Sequence, residues 1–157
     1  LNVFSVQNRM IVGYFRSLSI MIAAFIFDGL TGMLSFLLCA FLAKLFLEAI
    51  NYIEHCGLVR ERGKQVYMRH SWNSNHLLSS IYLCNVTRHS DHHRAANLKF
   101  WELNPCHEDA PLLPYGYLSM LYLVLITPFL YNKRMAKEFI DWDQNYASEY
   151  ERNYIMQ

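Results

Sequence analysis

The sequence predicts an all-α membrane protein: a transmembrane helical hairpin followed by cytoplasmic helices that carry clustered histidines. Three observations predict it. Hydrophobic residues make up 54% of the chain, above the roughly 45–50% of soluble domains, and charged residues only 17%, against about 25%. Two apolar runs near the start each approach the roughly 20 residues that cross a bilayer. Seven histidines stand out in the composition, and three of them fall within the stretch VTRHSDHHRA at 86–95.

The first run, 11–27, is interrupted by Tyr14, Arg16, Ser17 and Ser19. Arg16 has to snorkel or face a partner helix. The second, 31–53, is broken only by small residues, Lys44 and Glu48 until its polar end at Asn51. Asp28-Gly29-Leu30-Thr31-Gly32 between them has the two glycines of a tight turn. That turn has no Lys or Arg, whereas Arg9 precedes the hairpin and Arg60, Arg62, Lys64 and Arg69 follow it. The positive-inside rule therefore puts both ends in the cytoplasm.

Residues 54–116 then form a cytoplasmic region that holds the histidines. Within it, 77–86 is apolar but too short to span, and reads as a buried or interfacial helix. Pro105, Pro111 and Pro114 mark 104–114 as loop. Residues 117–131 are expected as a short or interfacial helix with Pro128 near its end. The tail, 132–157, is polar and is expected to be helical and solvent-facing. Cys39, Cys56, Cys84 and Cys106 form no CxxC pair, so no disulfide framework is expected. The net charge of +1 implies no polyanionic partner and leaves no nucleic-acid footprint. The chain opens on Leu1 without a signal-peptide pattern, and an amino-terminal truncation is expected.

On a helix over 87–96, His89, His92 and His93 fall at i, i+3 and i+4 and share a face about 100° wide. Neutral imidazole is the commonest metal ligand, and three on one face can converge on one metal or on two adjacent ones. The alternative is a pH-sensitive or merely solvated patch. Upstream, Lys44, Glu48, Asn51 and His55 lie on one stripe of an otherwise apolar helix, and such stripes in membrane helices mark functional paths. His55 is the matching ligand from a second element, unless that helix end simply meets water. Asp91 and Glu54 are placed to orient ligating imidazoles, although Asp91 can equally turn to Arg88 or Arg94. His70, His76 and His107 read as structural or hydrogen-bonded histidines.

NYIEHCGL at 51–58 and RHSDHH at 88–93 resemble two histidine boxes of the integral-membrane alkane hydroxylases, within a membrane desaturase/hydroxylase-like architecture. HSWNSNH at 70–76 resembles the segment between those boxes, and PLLPYGY at 111–117 a later region. The likeness covers 44–117 well and looks strongest to the xylene and p-cymene branch. It implies a non-heme diiron centre, O2 as co-substrate, and insertion of one oxygen atom into a terminal or benzylic methyl C–H of an alkane or alkyl-aromatic. It implies an apolar hydrocarbon substrate, the bilayer of a bacterial inner membrane, and electrons from rubredoxin or a ferredoxin-type reductase that draws on NAD(P)H. Carried over by position, the metal ligands are His55, His89, His92 and His93, with Glu54 and Asp91 behind them.

Two features depart from that pattern. Cys56 follows the first box histidine, where the family usually has an aromatic residue. The HExxHK-like and EHxxGHH-like boxes, which the resemblance places further upstream, are absent from these 157 residues, and four histidines cannot complete the two-iron site that the resemblance implies. The chain is therefore expected to be the C-terminal part of one membrane hydroxylase domain, inactive alone. Two other readings remain at this point: a membrane fatty-acid or lipid desaturase with similar boxes, and a non-catalytic membrane protein whose histidines bind zinc or sense pH.

Overall fold

The computed structural model describes residues 8–106 and 108–155, and among them the regular elements are helices. They are α1 (Arg9–His55), a 3-10 turn (Met68–His70), α2 (Leu77–Tyr82), α3 (His89–Arg94), α4 (Tyr117–Ile126), α5 (Pro128–Asn145) and α6 (Glu149–Ile155). The chain divides into two compact units, one ending at Leu47 and the other beginning at Glu48.

In the first unit, α1 is interrupted where a turn is expected. Asp28 (φ −140°, ψ 25°) and Gly29 (φ 57°, ψ −142°) leave the helical region, and a positive φ with that ψ is open to glycine alone. A side chain on Gly32 would overlap the Ala24 carbonyl oxygen and approach Asp28 Cβ at 3.0 Å. In a straight helix, residues eight apart are about 12 Å apart, so the chain doubles back here. The most apolar 18-residue window of α1 has a mean hydropathy of 2.1, and α1 is long and apolar enough to cross a membrane. Its large side chains point outward, with Phe27 90% and Ile26 74% exposed. An apolar surface of that extent needs lipid or more protein against it.

The second unit packs around Ile53, Trp72, Leu113, Tyr117, Met120, Tyr131, Met135 and Trp142. The last turns of α1 enter it through Ala49, Ile53 and Glu54. Gly57, at φ +74°, then lets the chain leave the helix under the Phe139 ring, whose Cε1 a Cβ would overlap and whose Cζ would lie 2.8 Å from it. Residues 70–74 are buried, and the chain leaves the 3-10 turn in extended backbone at Ser71 (φ −148°, ψ 144°). The Trp72 amide donates to the Glu54 carbonyl (2.8 Å), and Asn73 exchanges backbone bonds with Pro111 and Leu113 (2.9 and 2.8 Å). The Trp72 indole donates to the Cys56 carbonyl (2.8 Å), and Tyr117 Oη donates to the Trp72 carbonyl (2.7 Å). A segment resembling a loop in composition is thus the tie between α1 and α4.

Three sequence expectations are corrected. Pro128 begins a helix instead of lying near the end of one, because its fixed φ and missing N–H suit the first helical position. The tail is not solvent-facing throughout: α5 buries Tyr131, Met135 and Trp142, and α6 buries Glu151. Of the two alternatives for 77–86, buried or interfacial, the buried one is excluded: α2 ends at Tyr82, turns Ser79 and Ser80 inward and leaves Leu77, Leu78, Ile81 and Tyr82 exposed.

Candidate metal centre

His55 ends α1 and His89 opens α3, so two helix ends meet at the site. α3 starts without a capping side chain of its own, since Arg88 cannot accept from its first amides. The buried segment supplies the cap instead. Asn73 Oδ1 accepts the Ser90 N–H (2.9 Å), and Ser90 Oγ donates to the Ser71 carbonyl (3.0 Å). Asp91, fully buried, accepts from Arg94 Nε (2.6 Å) and from the Asn104 amide (2.8 Å). It therefore ties α3 to the loop behind it and touches no imidazole; of the two directions open to it in the sequence, it takes the one toward arginine.

His55, His89 and His93 each bring one ring nitrogen to a common point, all within 4.8 Å of one another. His55 Nδ1 lies 3.1 Å from the His70 carbonyl oxygen. Since a carbonyl only accepts, Nδ1 carries the proton and Nε2 is left with its lone pair. His55 Nε2 and His89 Nε2 lie 3.2 Å apart. Two nitrogens bound to one cation at about 2.0–2.1 Å, at tetrahedral to octahedral angles, are separated by roughly 2.9–3.4 Å. Glu54 Oε1 stands 3.4 Å from His89 Nδ1, on the side where a ligating imidazole takes its carboxylate partner. His93 Nε2 and Glu54 Oε1 are buried without a hydrogen-bond partner. A cation at the convergence point would complete the first, and its charge would favour the ionised form of the second.

Electrostatics keep the His89 and His93 rings neutral. Burial, then the neighbouring His93, His55 and His92, lowers His89 to about 3. Burial, then His55, His92, Arg60 and His70, lowers His93 to about 4. Burial pushes the Glu54 carboxyl up to about 8. Imidazoles that stay unprotonated at neutral pH are imidazoles with lone pairs to give.

The remaining histidines separate. His92 is exposed at the rim, its ring 5.8 Å from that of His89 and 6.2 Å from that of His93. It stands outside the converging three. His76 is exposed, and His107 lies outside the described residues. His70 is buried and contributes its backbone carbonyl to His55. Sequence periodicity had no means of finding that role, because it belongs to the main chain. Lys44, Glu48 and Asn51 of the predicted polar stripe are all exposed.

Residues 3–124 match the model of the fatty acid desaturase family. Among curated proteins, the chain is 41% identical to alkane 1-monooxygenase 1 of Pseudomonas aeruginosa, over 82% of this chain and 35% of that protein. It is 44% identical to alkane 1-monooxygenase 2 of Alcanivorax borkumensis, over 79% and 34%. It is 34% identical to the xylene/toluene monooxygenase hydroxylase component of Pseudomonas putida, over 73% and 31%. The chain thus spans about a third of the length of these relatives. The likeness to alkane monooxygenases exceeds that to the xylene protein, so the aromatic branch is not singled out. The histidine-bearing stretch at 51–93 lies wholly inside the matched residues, and with most of its length under one family model the chain belongs to the fatty acid desaturase family.

Proposed function

We propose that this chain forms one wall of the metal centre of a membrane monooxygenase that hydroxylates a terminal or benzylic methyl group of an alkane or alkyl-aromatic. The observation that carries it is the convergence of His55, His89 and His93, with the His55 Nε2 lone pair directed inward by the bond from Nδ1 to the His70 carbonyl. The names of the relatives, all monooxygenases of hydrocarbons, favour hydroxylation over desaturation.

In this reading two iron ions are bound and supply the oxygen activation that attack on an unactivated C–H bond needs. His55, His89 and His93 would hold one ion, and His92, on the exposed edge of α3, would contribute to the second together with side chains from elsewhere in the protein. Glu54 orients His89. The balance requires RH, O2, two electrons and two protons to give ROH and water. The electrons come from a rubredoxin or ferredoxin-type reductase fed by NAD(P)H. The two apolar runs, 11–27 and 31–53, span the bacterial inner membrane as a hairpin, with 54–116 on the cytoplasmic side as one part of a larger hydroxylase domain. An apolar substrate partitions into that bilayer, which gives it a route that avoids water.

The test is made on the full-length protein in lipid nanodiscs, with its electron donors, an alkane or xylene, and 18O2. Labelled alcohol supports the reading; alkene without alcohol would make the protein a desaturase. Metal analysis gives a second criterion. Two irons per chain are expected in the parent and about one in His92→Ala. Zinc alone in the parent would replace the oxygenase with a structural or hydrolytic site, and unchanged iron in His92→Ala would remove His92 from the ligands.

A further inference from the structure

We propose that Glu151, on the last helix, is a positioning residue for the His55 imidazole, acting through the ring and carbonyl of His70. The inference rests on the metal-centre reading above.

Glu151 is 1% exposed, and a carboxylate is costly to bury unless every oxygen is satisfied. Its donors come almost entirely from one place. His70 Nε2 lies 2.7 Å from Oε1. Arg69 donates Nε to Oε2 (3.1 Å) and Nη2 to Oε1 (3.3 Å). The Ser148 amide completes the set at 2.8 Å. Two adjacent side chains of the 3-10 turn are thereby fastened to α6 by a residue some eighty positions away. The tautomer of His70 is fixed by its other nitrogen: Nδ1 accepts the Tyr67 N–H at 3.0 Å, so Nε2 carries the proton and donates it to Glu151. The ring is held at both edges.

The same residue presents its carbonyl to His55 Nδ1 at 3.1 Å. The path therefore runs from carboxylate to ring, from ring to the backbone of a short turn, and from that backbone to the imidazole that offers its Nε2 to the metal. A 3-10 turn of three residues has little rigidity of its own. Trp142, also on the C-terminal side, adds a second fastening by donating Nε1–H to the Arg69 carbonyl (2.7 Å). None of these groups touches the converging nitrogens, so Glu151 acts on orientation and not on the reacting atoms. Partners of this kind typically change metal affinity by about 10–100-fold.

The experiment uses the full-length protein in nanodiscs, loaded with iron for affinity and with Co(II) for proton NMR of 15N-histidine-labelled material. In the parent, the His55 Nδ1–H should appear as a hyperfine-shifted, slowly exchanging resonance. Glu151→Leu should bind iron about tenfold more weakly or worse and move or broaden that resonance while the His89 signals persist. Glu151→Gln keeps an oxygen for His70 Nε2–H and should restore both affinity and resonance to near-parental values. Should Glu151→Leu not fold, His70→Phe serves instead: it keeps the carbonyl and the ring volume, drops both ring hydrogen bonds, and should give the same selective change at His55. Parental affinity with an unmoved His55 resonance in either variant would overturn the inference, as would equal loss of all histidine signals or a failure of Glu151→Gln to rescue. A parent that binds no metal would instead overturn the metal-centre reading itself.

Discussion

Asn73→Ala tests whether the buried segment at 70–74 holds α3, the helix proposed to bind metal, in place. Asn73 is fully buried, and its Oδ1 accepts the Ser90 N–H at 2.9 Å. Its Nδ2 makes only a long contact to the Pro105 carbonyl, 3.4 Å, which contributes little. The substitution leaves the Ser90 amide, buried in the first turn of an uncapped helix, with no acceptor. An orphaned buried donor costs about 1–3 kcal/mol. The lost bond falls on α3, which carries both His89 and His93. If about 2 kcal/mol is needed to restore the helix to its binding arrangement, metal affinity falls about 30-fold, at 1.4 kcal/mol per factor of ten. The assay is chelator competition for iron on nanodisc-embedded protein, paired with thermal unfolding. A lower melting temperature with weakened binding is expected. Parental affinity would refute the reasoning, because α3 would then hold its histidines without help from Asn73.

Two further predictions concern stability. The bonds to Glu151 from Arg69, the Ser148 amide and His70 outweigh its burial and hold its carboxyl at about 2, below its ordinary 4.5. Its contribution is therefore full above about pH 4.5 and is lost as the pH falls toward 2; by linkage it amounts to an order of 3 kcal/mol. Acid unfolding of the parent should show that slope and Glu151→Gln should lack it; identical acid profiles would contradict the assignment. Gly57→Ala places a methyl group against the Phe139 ring at φ +74°, and should destabilise by more than the roughly 1 kcal/mol that separates the two residues at a relaxed site. A melting temperature equal to the parent's would show that Phe139 moves aside freely.

The elements legible in the sequence were those whose signal is local. Asp28-Gly29 breaks α1 because a glycine can take φ 57°, and an apolar run of that length has few alternatives to a membrane helix. The i, i+3, i+4 spacing located α3, yet not which of its rings converge. On a helix of six residues, the histidine face is wide enough for His89 and His93 to turn toward His55 while His92 stays at the rim. That choice depends on where the helix is anchored, and the anchors are Asn73 and Ser71, residues of a polar stretch with no periodicity to read. The tail misled for the same reason. Glu151 looks like a surface charge in sequence, and only its pairing with His70 and the half-buried Arg69 across the fold makes it interior.

The neutral state of the rings links the fold to the chemistry. A helix end that gathered three charged imidazoles would repel itself apart and bind no cation. Burial lowers His89 and His93 and still leaves the choice of nitrogen open. What fixes the choice at His55 is one backbone carbonyl, that of His70, which takes the proton on Nδ1 and so frees Nε2. Beside His89 the nearest such group is Glu54, on the same helix turn as His55, its Oε1 3.4 Å from Nδ1 and not hydrogen-bonded to it. In the proposed site the adjacency Glu54-His55 in NYIEHCGL has a physical reason: one residue would supply a ligand and its neighbour would orient a ligand from the other box. Glu54→Gln retains an oxygen acceptor for His89 but removes the charge that a cation would draw out. If orientation is its role, that variant keeps the geometry of His89 and loses only part of the affinity, whereas Glu54→Ala loses both.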